Sequence, residues 1–172
     1  LERATSLDPD FALAFAQMST WFNNLRAFGR SRDLATRAYE LRDRISGRER
    51  FYIEARYHDS VTGDVDQSLK VYELWAQAYP RDFAPLNNIG VFQSEFGDFD
   101  RSAETIRRSI QINPNNAIAY SNLAGALHDA GRFDESMKAA EESITRFPNN
   151  SSAYSVRLLL ACRDQDNAKR TE

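Results

Sequence analysis

Residues 83–116 read FAPLNNIGVFQSEFGDFDRSAETIRRSIQINPNN, and residues 117–150 read AIAYSNLAGALHDAGRFDESMKAAEESITRFPNN. The two stretches are equal in length and align without a gap. The same interval extends upstream through glycine and proline positions. The residues that keep it are Gly29, Gly63, Gly97 and Gly131, and Pro80, Pro114 and Pro148. A fixed period of about 34 residues indicates a chain built from repeated supersecondary units.

Each 34-residue stretch is predicted to form two helices. In residues 117–150, apolar side chains recur at the i, i+3, i+4, i+7 spacing of one helical face. They are Tyr120, Leu123, Ala124 and Leu127. A second apolar series follows Gly131 and ends at Pro148, whose ring and missing N–H disfavour a longer helix. The stretch is therefore predicted to be an antiparallel helical hairpin with its turn at the glycine.

The repeat register divides the whole chain into units. Full units are predicted at residues 12–46, 49–82, 83–116 and 117–150, with a truncated second helix at 1–8, a further first helix at 151–162 and a polar tail at 163–172. The separation of Pro9 from Pro80 is three positions longer than two periods, so the unit at 12–46 has three extra residues. Because Gly29 is in phase with Gly63, we expect the extra residues between Pro9 and Gly29. A chain that begins within a repeat is expected to be part of a longer protein.

The composition excludes several classes of function. The 172 residues are 42% hydrophobic and carry a net charge of −3, which argues against binding nucleic acid mainly through its phosphates. No stretch of about 18 apolar residues and no signal-peptide pattern occurs. We therefore expect no direct membrane contact and a cytoplasmic location. An extracytoplasmic location is the alternative if a transmembrane segment lies elsewhere in the parent chain.

Charge is distributed unevenly along the chain. Residues 26–56 contain nine arginines and five acidic residues, whereas residues 57–106 contain three basic and nine acidic residues. Solvated helix faces with i, i+4 ion pairs explain such a pattern. The alternative is self-association, or docking to an acidic partner domain, through the basic segment.

No residue pattern in the chain predicts catalysis or a cofactor. His58 and His128 lie far apart in the sequence and neither belongs to a metal-binding motif. Cys162 lies in the apolar run LLLAC and is expected to be a small buried residue rather than a nucleophile. The pair Glu141 and Glu142 falls on a predicted solvent-facing side of a helix. There is no phosphate-binding GxxxxGK[ST], no GxGxxG after a strand and no HRD or DFG triplet. We predict a chain that is not an enzyme and that holds no metal or cofactor.

The 34-residue pattern of turn glycine, small helix residues and terminal proline resembles the tetratricopeptide repeat (TPR). This resemblance implies an all-α fold, a right-handed superhelix of antiparallel helical hairpins. In addition, residues 39–83 are similar to the repeat arrays of bacterial serine/threonine protein kinases and of some bacterial winged-helix regulators. That second resemblance implies a parent protein in bacterial signalling and adds no catalytic residue to this chain.

The resemblance to the tetratricopeptide repeat also implies a concave groove lined by the first helix of each unit. Carried over position by position, the groove residues are Arg50, Ile53, Tyr57, Asn87, Val91, Ser94, Glu95, Ser121, Gly125, His128 and Asp129. No lysine is among them, which disfavours capture of the acidic chaperone tails that some members of this family bind. We expect a scaffold that binds a protein or peptide partner. The alternative is a module for homo-oligomerisation, or for regulation of an attached kinase or DNA-binding domain.

Overall fold

The computed structural model describes residues 1–45 and 47–170, with side chains described through residue 163. This part of the chain forms ten α-helices and no strand. The helices are α1 (Glu2–Leu7), α2 (Ala12–Asn24), α3 (Phe28–Glu40), α4 (Arg48–Tyr57), α5 (Val65–Ala78), α6 (Ala84–Glu95), α7 (Phe99–Ile112), α8 (Ala117–Asp129), α9 (Phe133–Arg146) and α10 (Ser151–Arg170). They form two compact units, unit 1 at Leu1–Tyr79 and unit 2 at Pro80–Glu172. The predicted all-α fold class is confirmed.

Helices within a hairpin are joined by turns that require a left-handed residue. Gly63, Gly97 and Gly131 have φ angles of 67°, 82° and 75°. Glycine adopts this conformation without the steric cost of a Cβ atom. In the α6–α7 turn the Asp98 amide donates to the Gln93 carbonyl, a bond that closes the helix end. Gly97 thus lies between α6 and α7, and Gly131 lies between α8 and α9.

The turn between α2 and α3 is made without glycine. Arg26 has a φ of 59°, whereas Gly29 lies inside α3. The prediction that Gly29 marks this turn is therefore wrong. Arg26 precedes Gly63 by one period plus three positions, so the three extra residues follow the turn and do not lie between Pro9 and Gly29. Two of them lengthen the connection between α3 and α4, and the third lies in the turn that follows α4.

A π-helical turn, His58–Thr62, follows α4 and inserts one residue into this hairpin. In unit 2, Ser102 Oγ donates to the Gly90 carbonyl, twelve residues earlier. In unit 1 the equivalent Ser68 Oγ donates to the Ala55 carbonyl, thirteen residues earlier. Ala55 therefore occupies the small position equivalent to Gly90, although Arg56 is the residue that lies 34 positions before Gly90. Arg56 instead forms an ion pair with Asp59 at 2.5 Å.

The core of unit 2 lies between α7, α8 and α9. Its fully buried members are small or branched residues, which lets the helix axes approach closely. They are Ala103, Ile106, Ala119, Ala124, Leu127 and Ala140. The closest approach is at Gly90 of α6, where an added Cβ atom would lie 2.4 Å from Cγ1 of Ile106. Glycine is thus required at residue 90 by packing rather than by backbone angle.

The core of unit 1 combines small residues of α2 and α3 with Ile53 of α4. Aromatic residues extend the core to α5, because the Tyr52 ring of α4 packs edge-on against Trp75 of α5 with ring centroids 6.4 Å apart. Burial raises the pKa of the Tyr72 hydroxyl well above its usual range. The predicted helix at residues 1–8 corresponds to α1, which has no buried residue.

The last helix, α10, continues past the predicted boundary at residue 162 as far as Arg170. The side chains of the predicted polar tail beyond Arg163, and all of residues 171–172, lie outside the described residues. Cys162 is exposed, so the prediction that it is buried is wrong. In residues 1–45 and 47–170, none of the helices has both the length and the apolarity needed to cross a membrane.

Candidate functional site

A cleft of about 320 Å³ lies on the α6–α8 side of unit 2. Residues of α6, α7 and α8 line it. They are Val91, Ser94, Glu95, Ile106, Ser121, Asn122, Gly125, Ala126 and Asp129. Six of these nine are among the groove residues predicted from the repeat resemblance.

The cleft follows from the 34-residue repeat of the helices. The short connections make α6 and α7 antiparallel, and likewise α7 and α8, so α6 and α8 run in the same direction. Equivalent positions therefore face each other across the cleft: Val91 of α6 opposes Gly125 of α8, and Glu95 opposes Asp129. Ile106 of α7 lies behind both helices and forms the floor.

The width of the cleft depends on Gly125. A Cβ atom added there would meet no heavy atom within 4 Å. The glycine has an ordinary helical φ and is not required by packing or by backbone conformation, in contrast to Gly90. Its effect is to leave open the space above Ile106 and Ala126.

Amide and hydroxyl side chains hold one end of the cleft in place. Asn122 Nδ2 donates to Asn87 Oδ1 at 3.2 Å, which links α8 to α6. Asn150 Nδ2 donates to Ser121 Oγ at 2.7 Å and to the Ala117 carbonyl at 2.9 Å. These bonds fix the α8 face before any partner binds, which lowers the entropic cost of binding.

The other end of the cleft is acidic. Glu95 and Asp129 are the last residues of α6 and α8, where the helix dipoles place partial negative charge. Asp129 Oδ1 lies 2.9 Å from Nδ1 of His128, and side-chain exposure of Asp129 is 51%. None of the nine residues that line the cleft is basic. The electrostatic potential of this end therefore favours a cation.

Two predicted groove residues of unit 2 lie beside the cleft rather than in its lining. Asn87 accepts the hydrogen bond from Asn122. The ring of His128 packs edge-on against Phe133, with centroids 5.7 Å apart, and bonds to Asp129.

The predicted groove residues of unit 1 are Arg50, Ile53 and Tyr57, and each contacts other residues of its own unit. Ile53 is 1% exposed and belongs to the core with Ala16 and Leu41, so its assignment to the groove is wrong. Tyr57 stacks on Tyr39 of α3, with centroids 3.8 Å apart. The π-helical turn is the physical reason, because one inserted residue rotates the preceding helix by about 100° relative to the repeat register.

Arg50, the remaining predicted residue of unit 1, is engaged with its own helix. Its Nε donates to Glu54 Oε1 at 2.8 Å, and this hydrogen bond raises the pKa of the guanidinium. A second carboxylate, Asp43, lies 3.7 Å from its NH2. Arg50 is exposed but is not a free cation.

Three residues of the cleft were missed by sequence reasoning. Asn122 and Ala126 lie one position from predicted groove residues, and a wider helical face would have included both. Ile106 was missed because it belongs to a second helix. Its signal was Gly90, the glycine of α6 against which the Ile106 side chain packs.

The arginine-rich segment of unit 1 is largely neutralised by its own unit. Arg30 pairs with Glu2, Arg37 with Glu40, and Arg44 with Asp10. Arg42 stacks over the Tyr39 ring, with its guanidinium carbon 3.9 Å from the ring centroid. This pairing matches the interpretation of the charge pattern as solvated helix faces.

Nothing in the described part of the chain resembles a metal site. Among the residues described, no three His, Cys, Asp or Glu side chains are grouped so that they could hold a metal ion. His58 contacts the Tyr57 ring, and Glu142 pairs with Arg146. These contacts give both side chains structural neighbours of their own.

Fold and cleft together define a class, the all-α repeat proteins built from helical hairpins with a cleft between successive first helices. A family model described as tetratricopeptide repeat matches residues 94–161. The match covers the α7–α8–α9 packing that forms and supports the cleft. The tetratricopeptide-repeat prediction is thus supported in unit 2 by sequence as well as by fold.

Solved tetratricopeptide-repeat structures have the same fold. A mutant form of MamA aligns with a TM-score of 0.58 and 15% identity, over 92% of this chain and 85% of the other. YrrB, described as a TPR protein with an unusual peptide-binding site, aligns with a TM-score of 0.58 and 13% identity, over 95% and 83%. The TPR domain of Arabidopsis OM64 aligns with a TM-score of 0.63 and 14% identity, over 68% and 96%. At these identities the likeness concerns the fold alone. No curated protein sequence matches the chain.

Proposed function

We propose that this chain is a non-catalytic scaffold that binds a peptide or helix of a partner protein in the cleft between α6 and α8. The observation that carries the proposal is the combination of an apolar floor, a side-chain-free position at Gly125 and a polar rim already fixed by hydrogen bonds. Ligand sites commonly combine an apolar lining with a few placed polar groups. A peptide-binding site in YrrB, a protein with the same fold, supports the same use here.

A blocking substitution tests the proposal. Gly125→Leu places a branched side chain in open space, so the helix is retained and the cleft is filled. We expect it to abolish binding of partners recovered by affinity capture and then purified. Glu141→Leu adds the same side chain to the exposed side of α9 and is the matched control. Partners that bind both variants as tightly as the unaltered chain would contradict use of the cleft.

The wider context of the scaffold is also proposed here. We place it beside a bacterial serine/threonine kinase in the cytoplasm, and the support is the sequence resemblance of residues 39–83 alone. A kinase domain with HRD and DFG triplets encoded upstream in the same gene would support this context. A gene that encodes no kinase domain would contradict it.

Self-association remains the second candidate, on the basis of the basic segment. Sedimentation of the chain tests it, with Arg42, Arg44 and Arg48 changed together to Glu. A concentration-dependent dimer that this change abolishes would favour self-association. The ion pairs within unit 1 lead us to expect a monomer.

A further inference from the structure

We infer that the α6–α8 cleft selects an extended peptide in which a lysine or arginine stands two residues from an apolar side chain. This inference rests on the proposed function, since it names the ligand class of the same cleft. It depends on three features of the described residues: the acidic end, the apolar floor and the distance between them.

The charge of the cleft favours a cationic ligand group. Glu95 and Asp129 lie at one end, on successive first helices and both at helix C-termini, and none of the described residues that line the cleft is basic. A carboxylate ligand would meet two like charges and two unfavourable dipole ends. An ammonium or guanidinium group would instead find charge-assisted hydrogen-bond acceptors on both walls.

The floor of the cleft favours an apolar neighbour for that cation. Val91, Ala126 and Ile106 surround the space left open at Gly125. A medium-sized aliphatic side chain can fill this space and pack against Val91, which is half-buried, whereas Ile106 and Ala126 are already buried by their own unit. A polar side chain there would lose water without gaining a partner.

The spacing of the two subsites determines the pattern in the peptide. Val91 precedes Glu95 by four residues, as Gly125 precedes Asp129, which corresponds to about 6 Å along each helix axis. In an extended peptide, side chains on the same face are two residues and about 6.6 Å apart. An apolar residue and a cation at i and i+2, in either order, therefore match the two subsites. A helical ligand would require a spacing of i and i+4 instead.

An array of immobilised heptapeptides tests the inference. Each peptide has a central leucine, serine and glycine elsewhere, and lysine, glutamate or norleucine at one varied position. We expect retention of the chain by peptides with lysine two residues from the leucine, and not by those with glutamate or norleucine there. The best peptide is then titrated by fluorescence anisotropy, and its affinity should fall as salt is raised.

Matched variants separate this inference from the proposed function. Glu95→Gln with Asp129→Asn should weaken the lysine peptide about tenfold, as expected for two exposed charge contacts. Glu104→Gln with Glu141→Gln makes the same change in net charge on exposed sites outside the cleft and should leave affinity unchanged. Gly125→Leu should abolish binding.

Each alternative outcome has a defined meaning. Peptides that bind without a preference for lysine, and that Gly125→Leu excludes, would overturn the charge selection and leave the proposed function standing. A preference for lysine four residues from the leucine would overturn the extended conformation. Binding that Gly125→Leu does not change, or no binding by any peptide, would overturn both the inference and the proposed function.

Discussion

The contact between Gly90 and Ile106 allows the hairpin packing to be tested by a double-mutant cycle. A Cβ atom at residue 90 would lie 2.4 Å from Cγ1 of Ile106 and 3.3 Å from the carbonyl oxygen of Ser102. Favourable contact between carbon atoms begins at about 3.5 Å, so Gly90→Ala creates an overlap of about 1 Å. Ile106 is 1% exposed and cannot move into solvent. We expect Gly90→Ala to lower the free energy of unfolding by about 1–3 kcal/mol.

The next repeat shows how the overlap can be relieved. One period later, Ala124 and Ala140 occupy the positions of Gly90 and Ile106, and both alanines are fully buried. The double change Gly90→Ala with Ile106→Ala recreates that pair. Ile106→Ala alone should cost about 2–5 kcal/mol, because it removes three carbon atoms and leaves a cavity. In the double variant the new Cβ atom fills part of the cavity, so the double should cost less than the sum of the singles by about 1–3 kcal/mol.

Urea unfolding followed by far-UV circular dichroism measures the four members of the cycle. Both tryptophans, Trp21 and Trp75, lie in unit 1, so their fluorescence reports the unfolding of unit 1 beside the circular dichroism of the whole chain. Gly125→Ala is the control, since it adds the same methyl group where no atom lies within 4 Å, and should stabilise by about 1 kcal/mol through helix propensity. If the two single changes simply add, to within about 0.5 kcal/mol, the close approach of α6 and α7 at Gly90 is refuted.

Four further changes test other parts of the fold. Arg26→Gly should raise the thermal unfolding temperature, since the left-handed conformation of a non-glycine residue costs about 1–2 kcal/mol. Gly131→Arg should lower the unfolding temperature for the same reason. Variants that unfold at the same temperature as the unaltered chain would contradict the left-handed turns at residues 26 and 131. Ser102→Ala should cost about 1 kcal/mol in urea unfolding, because it removes a buried hydrogen bond to the Gly90 carbonyl, and no change would show that this bond is not stabilising. The hydrogen bond from Arg132 lowers the pKa of Glu135, so its stabilisation is present above the ordinary carboxyl pKa of 4.5 and is lost as the pH falls through the lower folded value. Glu135→Gln should therefore make the unfolding temperature less dependent on pH between those two pKa values. If the pH dependence of the unfolding temperature is the same with and without this change, the Arg132–Glu135 pair does not stabilise the fold.

The sequence predicts the regular repeats of unit 2 well because one set of residues determines both turn and packing there. Gly97 and Gly131 adopt the left-handed turns that the pattern requires, and the small residues of the facing helices are buried. The period failed at Gly29 because three extra residues, two in the α3–α4 connection and one in the π-helical turn, brought a glycine within a helix into phase by coincidence. The sequence did contain a signal for the turn at Arg26. Ser31 follows Arg26 by five residues, as Ser102 follows Gly97, and both serines are buried.

The missed π-helical turn explains why predicted groove residues of unit 2 line a cleft, whereas Ile53 of unit 1 lies in the core. A pattern with a fixed period assumes that every helix keeps 3.6 residues per turn, so it places Ile53 on the same face as Asn87. One inserted residue rotates the part of α4 before the turn by about 100°, which moves Ile53 into the core. The same rotation places Tyr52 opposite α2, where its hydroxyl lies 2.6 Å from Thr20 Oγ1. A one-residue change in a first helix thus replaces the side chains that it offers to a ligand while the serine–carbonyl bond within the hairpin is retained. In a repeat protein, the side chains exposed for binding can therefore change while the packing within the hairpin is kept. Only the packing is constrained by the 34-residue period.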